Sequence, residues 1–199
     1  YALLADKNFF DKKILRSASK FNSILGGHPE YGKVPGVEAS TGALGHGPAI
    51  GVGMAIGAKL NKISYKTYVI VGDGEINEGS FWESSMIASK HKLNNFHIII
   101  DYNKIQSYGK TKEILDLEPL RKKLDSFGYS VSEVNGHDIS KLNKYFNKIK
   151  KNKIKPTALI CHTIKGKGFP FAESNPYWHH KNSFTNEEVK EINKYLGKK

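Results

Sequence analysis

The chain has 199 residues, 39% of them apolar, with a single cysteine and a formal charge of +12 from 31 basic and 19 acidic side chains. That length and composition support one substantial core, so one domain over residues 1–199 is the expectation. No apolar run reaches the roughly 18 residues of a membrane-spanning helix, and one cysteine excludes a disulfide framework and suits a reducing, cytoplasmic setting.

The start, "YALLADKNFF", lacks the basic leader and small-residue cleavage site of a signal peptide. Residues 11–24 are predicted to be helical. A long irregular stretch follows, "GGHPEYGKVPGVEASTGALGHG" (Gly26 to Gly47), with seven glycines and two prolines. Loops of that length inside a compact domain are usually functional or disordered. "PAIGVGMAIGAKL" is predicted to be a small-residue helix, in which Gly53 and Gly57 would admit a neighbouring backbone. Then come strand 67–71, helix 80–92, strand 97–101, helix 117–127, strand 129–134, helix 139–152 and strand 157–162. A glycine-rich tail, "KGKGFPFAESNPYWHHKN", leads to a last helix near 186–196. Strands that are continuous apolar runs, alternating with helices, predict an α/β fold: a three-layer sandwich around a mostly parallel central sheet. Cys161, in "TALICHTI", reads as an inert core thiol on a buried strand.

The basic excess has several readings. It suits nucleic acid, an acidic membrane surface or phosphorylated small molecules. It also matches compositional drift, because the lysines accompany abundant Asn and Ile. The densest run, Lys141 to Lys155, carries Leu142, Phe146 and Ile149 at helical spacing and reads as an amphipathic helix with a solvated lysine face. With no zinc finger, helix-turn-helix or RNA-binding signature, neither a nucleic-acid nor a membrane partner is expected.

The chemistry concentrates in "VIVGDGEINEGSFWESSMIASKHKLNNFHIIIDYNKIQ", Val69 to Gln106. Strand 67–71, helix 80–92 and strand 97–101 form a crossover unit, which is right-handed and brings both strand ends to one edge of the sheet. Asp73 and Asn103 each fall two residues past a strand end, at the edge where open α/β sheets bind ligands. A carboxylate, an amide carbonyl and a backbone oxygen from the turn after Asn103 are hard donors with one formal charge. They suit Mg²⁺ sharing its sphere with phosphate oxygens and water. Gly72 and Gly74 let a diphosphate approach the backbone amides.

"GDGEINEG…NNFHIIIDYN" resembles the thiamine-diphosphate signature. "GGHPEYGKVPGVEASTGALGHG", "LEPLRKKLDSFGYSVSEVNGHD", "PTALICHTIKGKG" and "WHHK" resemble, in order, the cofactor-diphosphate domain of transketolase. The resemblance implies a thiamine-diphosphate-binding fold, thiamine diphosphate with Mg²⁺ (or Ca²⁺ or Mn²⁺), and metal ligands at Asp73, Asn103 and the carbonyl of Ile105. It places Gly74 and Asn103 on the diphosphate, and Gly42, Ala43 and Leu44 beside the aminopyrimidine and thiazolium, with Ala43 where Pro or Ser is frequent. His28 and His179 are implied to line the substrate funnel, where proton transfer to sugar hydroxyls suits histidine; His179 also adjoins the cofactor. Glu78 matches an acidic residue of an inter-subunit proton network, and at the start of helix 80–92 it can equally offset the helix dipole. Gln106 and Lys181 are further substrate-facing candidates. The remaining histidines read as structural, with His162 of interest because it ends a strand.

Family members carry a further N-terminal stretch, with Gly-His-Pro-Gly and Ser-Lys-Gly-His segments, that is expected to be lacking here. Their pyrimidine-binding domain follows this one or sits on a separate chain. The expectation is therefore the N-terminal subunit of a split transketolase, inactive alone. With a C-terminal subunit it would form a homodimer or an α2β2 assembly, and would move a two-carbon ketol unit between sugars or sugar phosphates. Alternatives are a ketoacid decarboxylase component, a deoxyxylulose-phosphate synthase, or a non-catalytic partner-binding subunit.

Overall fold

The computed structural model describes residues 1–152, 154–181 and 183–197; Asn182, which ends the glycine-rich tail, lies outside them. In chain order the elements are α1 (Ala2–Asp6), α2 (His46–Leu60), β1 (Thr67–Gly72), α3 (Gly79–Lys90), β2 (Phe96–Tyr102) and a small hairpin of β3 (Ile105–Gln106) and β4 (Gly109–Lys110). They continue through α4 (Thr111–Ile114), α5 (Leu120–Ser126), β5 (Ser130–Asn135), α6 (Ile139–Ile149), β6 (Thr157–His162) and α7 (Asn186–Tyr195). The central sheet is parallel throughout, in the order β1-β2-β6-β5.

Alternation along the strands divides the core into two layers. Phe96, Ile98 and Ile100 of β2 and Ala158 and Ile160 of β6 face α2, α3 and α5, where they meet Ala55, Phe81, Leu120 and Leu124. Each such large apolar side chain contributes about 1.5–3 kcal/mol on full burial. On the other face, Leu159 and Cys161 pack against Tyr145 and Ile149 of α6, with Leu142 and Phe146 beside them. The apolar stripe read in the lysine-rich run is thus the inner face of α6. Asp138 caps that helix, accepting from the Lys141 amide at 3.0 Å. Burial pushes the Cys161 thiol up to about 11, as an inert core thiol requires.

Three expectations change. The helix over 11–24 is only a 3₁₀ turn at Lys12–Ser17. The Ser17 hydroxyl donates to the Ile14 carbonyl and bonds the Ser23 hydroxyl, while the Leu25 amide donates to Ser23 Oγ. These local bonds compete with helical ones. The helix expected from residue 117 begins at Leu120, after Pro119, because a residue preceding proline is driven out of the helical region. Cover on the second sheet face is also incomplete. Helix α6 covers β6 and β5, but Tyr68 and Ile70 of β1 are 44% and 72% exposed.

Candidate active site

Parallel pairing sets Gly72 of β1 opposite Asp101 of β2, so the chain leaves both strands side by side. Asp73 is 2% exposed. One carboxylate oxygen accepts the Gly74 amide at 2.8 Å and the other accepts the Lys104 amide. Asn103 Oδ1 accepts from the Ile105 amide at 3.0 Å. Asp73 and the Asn103–Ile105 turn, far apart in sequence, are therefore in direct contact. Burial raises the Asp73 carboxyl above the ordinary carboxylate range; the two amide bonds oppose that shift, Asp101 adds to it and the Lys165 charge lowers it.

These donors fit a cation shared with a diphosphate. Each Asp73 oxygen keeps a lone pair beyond its amide bond, as does the Asn103 carbonyl. No group of three or more His, Cys, Asp or Glu side chains gathers among the described residues, so an all-protein zinc or calcium cage is not the match. Gly74 forms a cradle: a Cβ there would stand 3.0 Å from Gln106 Cβ. The Gln106 side chain thus lies over the turn, and its buried amide nitrogen finds no partner among the described residues. An orphaned donor above a glycine turn suits an anionic ligand.

His179 reaches the same region through the β3–β4 hairpin. Ser107 Oγ lies 3.3 Å from His179 Nε2 and 3.0 Å from His180 Nε2. His179 Nδ1 is buried and has no partner among the described residues. Burial, then the Lys165 and His180 charges, hold the His179 ring below the usual histidine range. Lys181 has partners within the chain. Its ammonium pairs with Glu188 of α7 at 2.8 Å and lies 4.9 Å above the Trp178 ring.

The glycine-rich loop forms the other side. Gly42, Ala43 and Leu44 are exposed. Gly42 has φ +118°, and a Cβ there would stand 2.7 Å from the His28 ring, so His28 packs directly on the loop. Glu78 sits at the N-cap of α3 without a side-chain capping bond; its dipole role rests on position alone. A cleft of about 610 Å³ runs between Glu38–Leu44, Glu75 and the outer side of β1. A second, of about 450 Å³, opens at the strand ends beside Asp101, Asn103, His137 and Lys165.

Several residues here escaped the sequence reading. The Thr163 hydroxyl donates to Asp101, and Asn103 Nδ2 donates to the same carboxylate at 3.4 Å, so Asp101 orients the asparagine. Its position near the end of β2, two residues before Asn103, was an available signal. Lys165, three residues past β6, is the cation whose charge acts on both Asp73 and His179; topology alone brings it there. Ser107 carried no signal. His162, the strand-end histidine, bonds Glu133 at 2.7 Å and reads as structural.

A parallel α/β sheet with a buried carboxylate and an orphaned amide donor at two adjacent strand ends suits an anionic cofactor. The family of the transketolase thiamine-diphosphate-binding domain matches residues 3–199, and the chain belongs to that family. It is 44% identical over 180 residues to an apulose-4-phosphate transketolase subunit from Phocaeicola vulgatus, with 90% of this chain and 64% of that protein aligned. Identity to the 6-deoxy-6-sulfo-D-fructose transketolase subunit of a Clostridium species is 36%, covering 87% of this chain and 63% of that one. The chain thus spans just under two thirds of these relatives. The crystal structure of Campylobacter jejuni transketolase superposes with a TM-score of 0.84 at 31% identity, over 94% of this chain and 30% of that one.

Proposed function

We propose that this chain is the cofactor-diphosphate subunit of a transketolase, acting with a separate chain that carries the pyrimidine-binding half. The contact of buried Asp73 with the Asn103–Ile105 turn, under the orphaned Gln106 amide, carries the reading. Asp73, Asn103 and the Ile105 carbonyl would hold Mg²⁺, and Gly72, Gly74 and Asn103 the diphosphate. Gly42, Ala43 and Leu44 would line the rings. When bound, thiamine diphosphate supplies the nucleophilic carbon at which a two-carbon ketol unit leaves a ketose and reaches an aldose. The protein's own work is positioning and proton movement. His28, on the loop, and His179, tied to the hairpin through Ser107, would exchange protons with sugar hydroxyls. Gln106 would contact the substrate, and Glu78 would face the partner chain. Both relatives are named for sugars bearing an anionic group, and a +12 chain suits such substrates.

The test is calorimetry with thiamine diphosphate and Mg²⁺, followed by ketol-transfer assays with a candidate partner chain. Asp73→Ala removes the only charged protein ligand while the diphosphate charge remains, so affinity should fall at least about a hundredfold. Parent-like binding by that variant refutes the metal assignment.

A further inference from the structure

Gly45 closes the glycine-rich loop and serves as the N-cap of α2, with φ +77°. Side chains from one short segment take both of its peptide groups. The Gly45 amide donates to Glu75 Oε1 at 3.0 Å, and its carbonyl accepts from the Ser80 hydroxyl at 3.0 Å. A Cβ at Gly45 would stand 2.3 Å from Ser80 Oγ and 2.6 Å from Glu78 Cβ. The segment is therefore seated on bare backbone, in a conformation that favours glycine.

The grip has a fixed base. Glu75 follows Gly74 directly, in the 3₁₀ turn Glu75–Asn77, and Trp82 Nε1 donates to the Ile76 carbonyl at 2.9 Å. Ser80 lies in the first turn of α3, where its carbonyl accepts from the Ser84 hydroxyl at 2.6 Å. Glu75 also stands beside the start of α2, where a negative charge is favoured by the helix dipole.

We infer that Glu75 and Ser80 latch the Gly42–Leu44 loop to the Gly-Asp-Gly turn, and that Glu75 is a positioning residue for thiamine diphosphate. A ligand with its diphosphate at Gly74 and its rings at Gly42–Leu44 needs both segments at a fixed separation. Glu75 spans that gap by one charge-assisted hydrogen bond, a class stronger than neutral ones. The latch rests on these contacts alone; its effect on the cofactor rests on the reading proposed above.

Two measurements on the full chain separate these parts. Amide hydrogen exchange across residues 42–47 reports the latch without any ligand. Calorimetry with thiamine diphosphate in Mg²⁺ reports its effect. Glu75→Ala should speed exchange at Gly45 by about tenfold or more and weaken the cofactor by a similar factor. Glu75→Gln retains a carbonyl acceptor and should restore both to within about threefold of the parent. Ser80→Ala should loosen the same amides, and it decides the matter if Glu75→Ala does not fold. Unchanged exchange in folded Glu75→Ala overturns the latch. Faster exchange with unchanged cofactor affinity, or a glutamine variant that rescues neither property, overturns the positioning role. If the parent binds no thiamine diphosphate, the proposed function fails, and the exchange data still decide the latch.

Discussion

In the proposed site, His28 and His179 would have a different part from Asp73. Neither hydrogen-bonds the Gly-Asp-Gly turn among the described residues: His28 lies on Gly42 and His179 is tied to Ser107. Replacing either by alanine should therefore lower turnover about a hundred- to ten-thousand-fold, the usual contribution of a general acid–base group. Cofactor affinity should fall far less than turnover. Steady-state kinetics of the reconstituted enzyme, set beside calorimetry, measure both quantities, and unchanged turnover in both variants returns the two rings to a structural role. The pairing of Asp73 with the Asn103 turn was legible because it needs only two facts, that the strands are consecutive and that the crossover is right-handed. Lys181 was not legible in the same way. Its partner Glu188 belongs to α7, beyond the tail, and that tertiary contact leaves no local signature in the sequence.

At the scale of elements, apolar periodicity located α3, β2, α6 and β6 to within a few residues, because each carries a buried stripe or run. It could not see which small residues of α2 meet the sheet. Gly53 and Gly57 have open space where a side chain would go, whereas a Cβ at Gly51 would stand 2.4 Å from Val69 Cγ2 and 3.0 Å from Phe96 Cε2. Gly51→Ala should therefore destabilise the isolated chain. Overpacking costs about 1–3 kcal/mol, against a helix-propensity gain of about 1 kcal/mol, so the clash wins by up to about 2 kcal/mol. Gly53→Ala collects the gain without the clash and should raise the melting temperature by about 2–4 °C. Thermal melts of the pair should move in opposite directions; a parallel shift would contradict the packing of α2 on β1. The sheet also carries a pH response. His97 on β2 is 1% exposed, bonds Thr157 Oγ1 at 2.8 Å and stacks on Tyr68 at 4.9 Å. Burial, with a smaller push from Lys66, lowers its pKa to about 4. Its ordinary value is near 6.5, so between pH 6.5 and 4 the unfolded chain binds the proton more readily. Stability should fall as pH drops through that window, by roughly 3 kcal/mol at most, and lose nothing further from this group below it. Denaturant melts of His97→Gln across the same range should show a flatter acid limb than the parent.

For the whole molecule, the question is what completes the site. The loop that would meet the cofactor rings is open, with Leu44 55% exposed, and along the adjoining cleft Ile50, Tyr68 and Ile70 are 39%, 44% and 72% exposed. Contiguous apolar exposure of this kind marks a surface that another body covers. The sequence hid it, because Tyr68 and Ile70 read as ordinary members of a buried parallel strand. Two of the carboxylates close to the loop, Glu75 and Glu78, are already engaged or badly placed. Glu75 is held by the Gly45 amide, and Glu78 packs its Cβ against the same glycine, only five residues past Asp73. An extended cofactor with its diphosphate at Gly74 carries its pyrimidine away from that turn, so neither group is positioned to protonate the far side of the ring. The chain without its partner should therefore bind thiamine diphosphate and leave it unactivated. A purified, partner-free preparation with Mg²⁺ and thiamine diphosphate can be followed by hydrogen–deuterium exchange at the cofactor's reactive carbon. The expected rate equals that of free cofactor, and adding the partner chain should raise it. Fast exchange in the partner-free preparation, or ketol transfer from a ketose donor, would mean that this chain supplies the activating carboxylate itself and would end the split-subunit account.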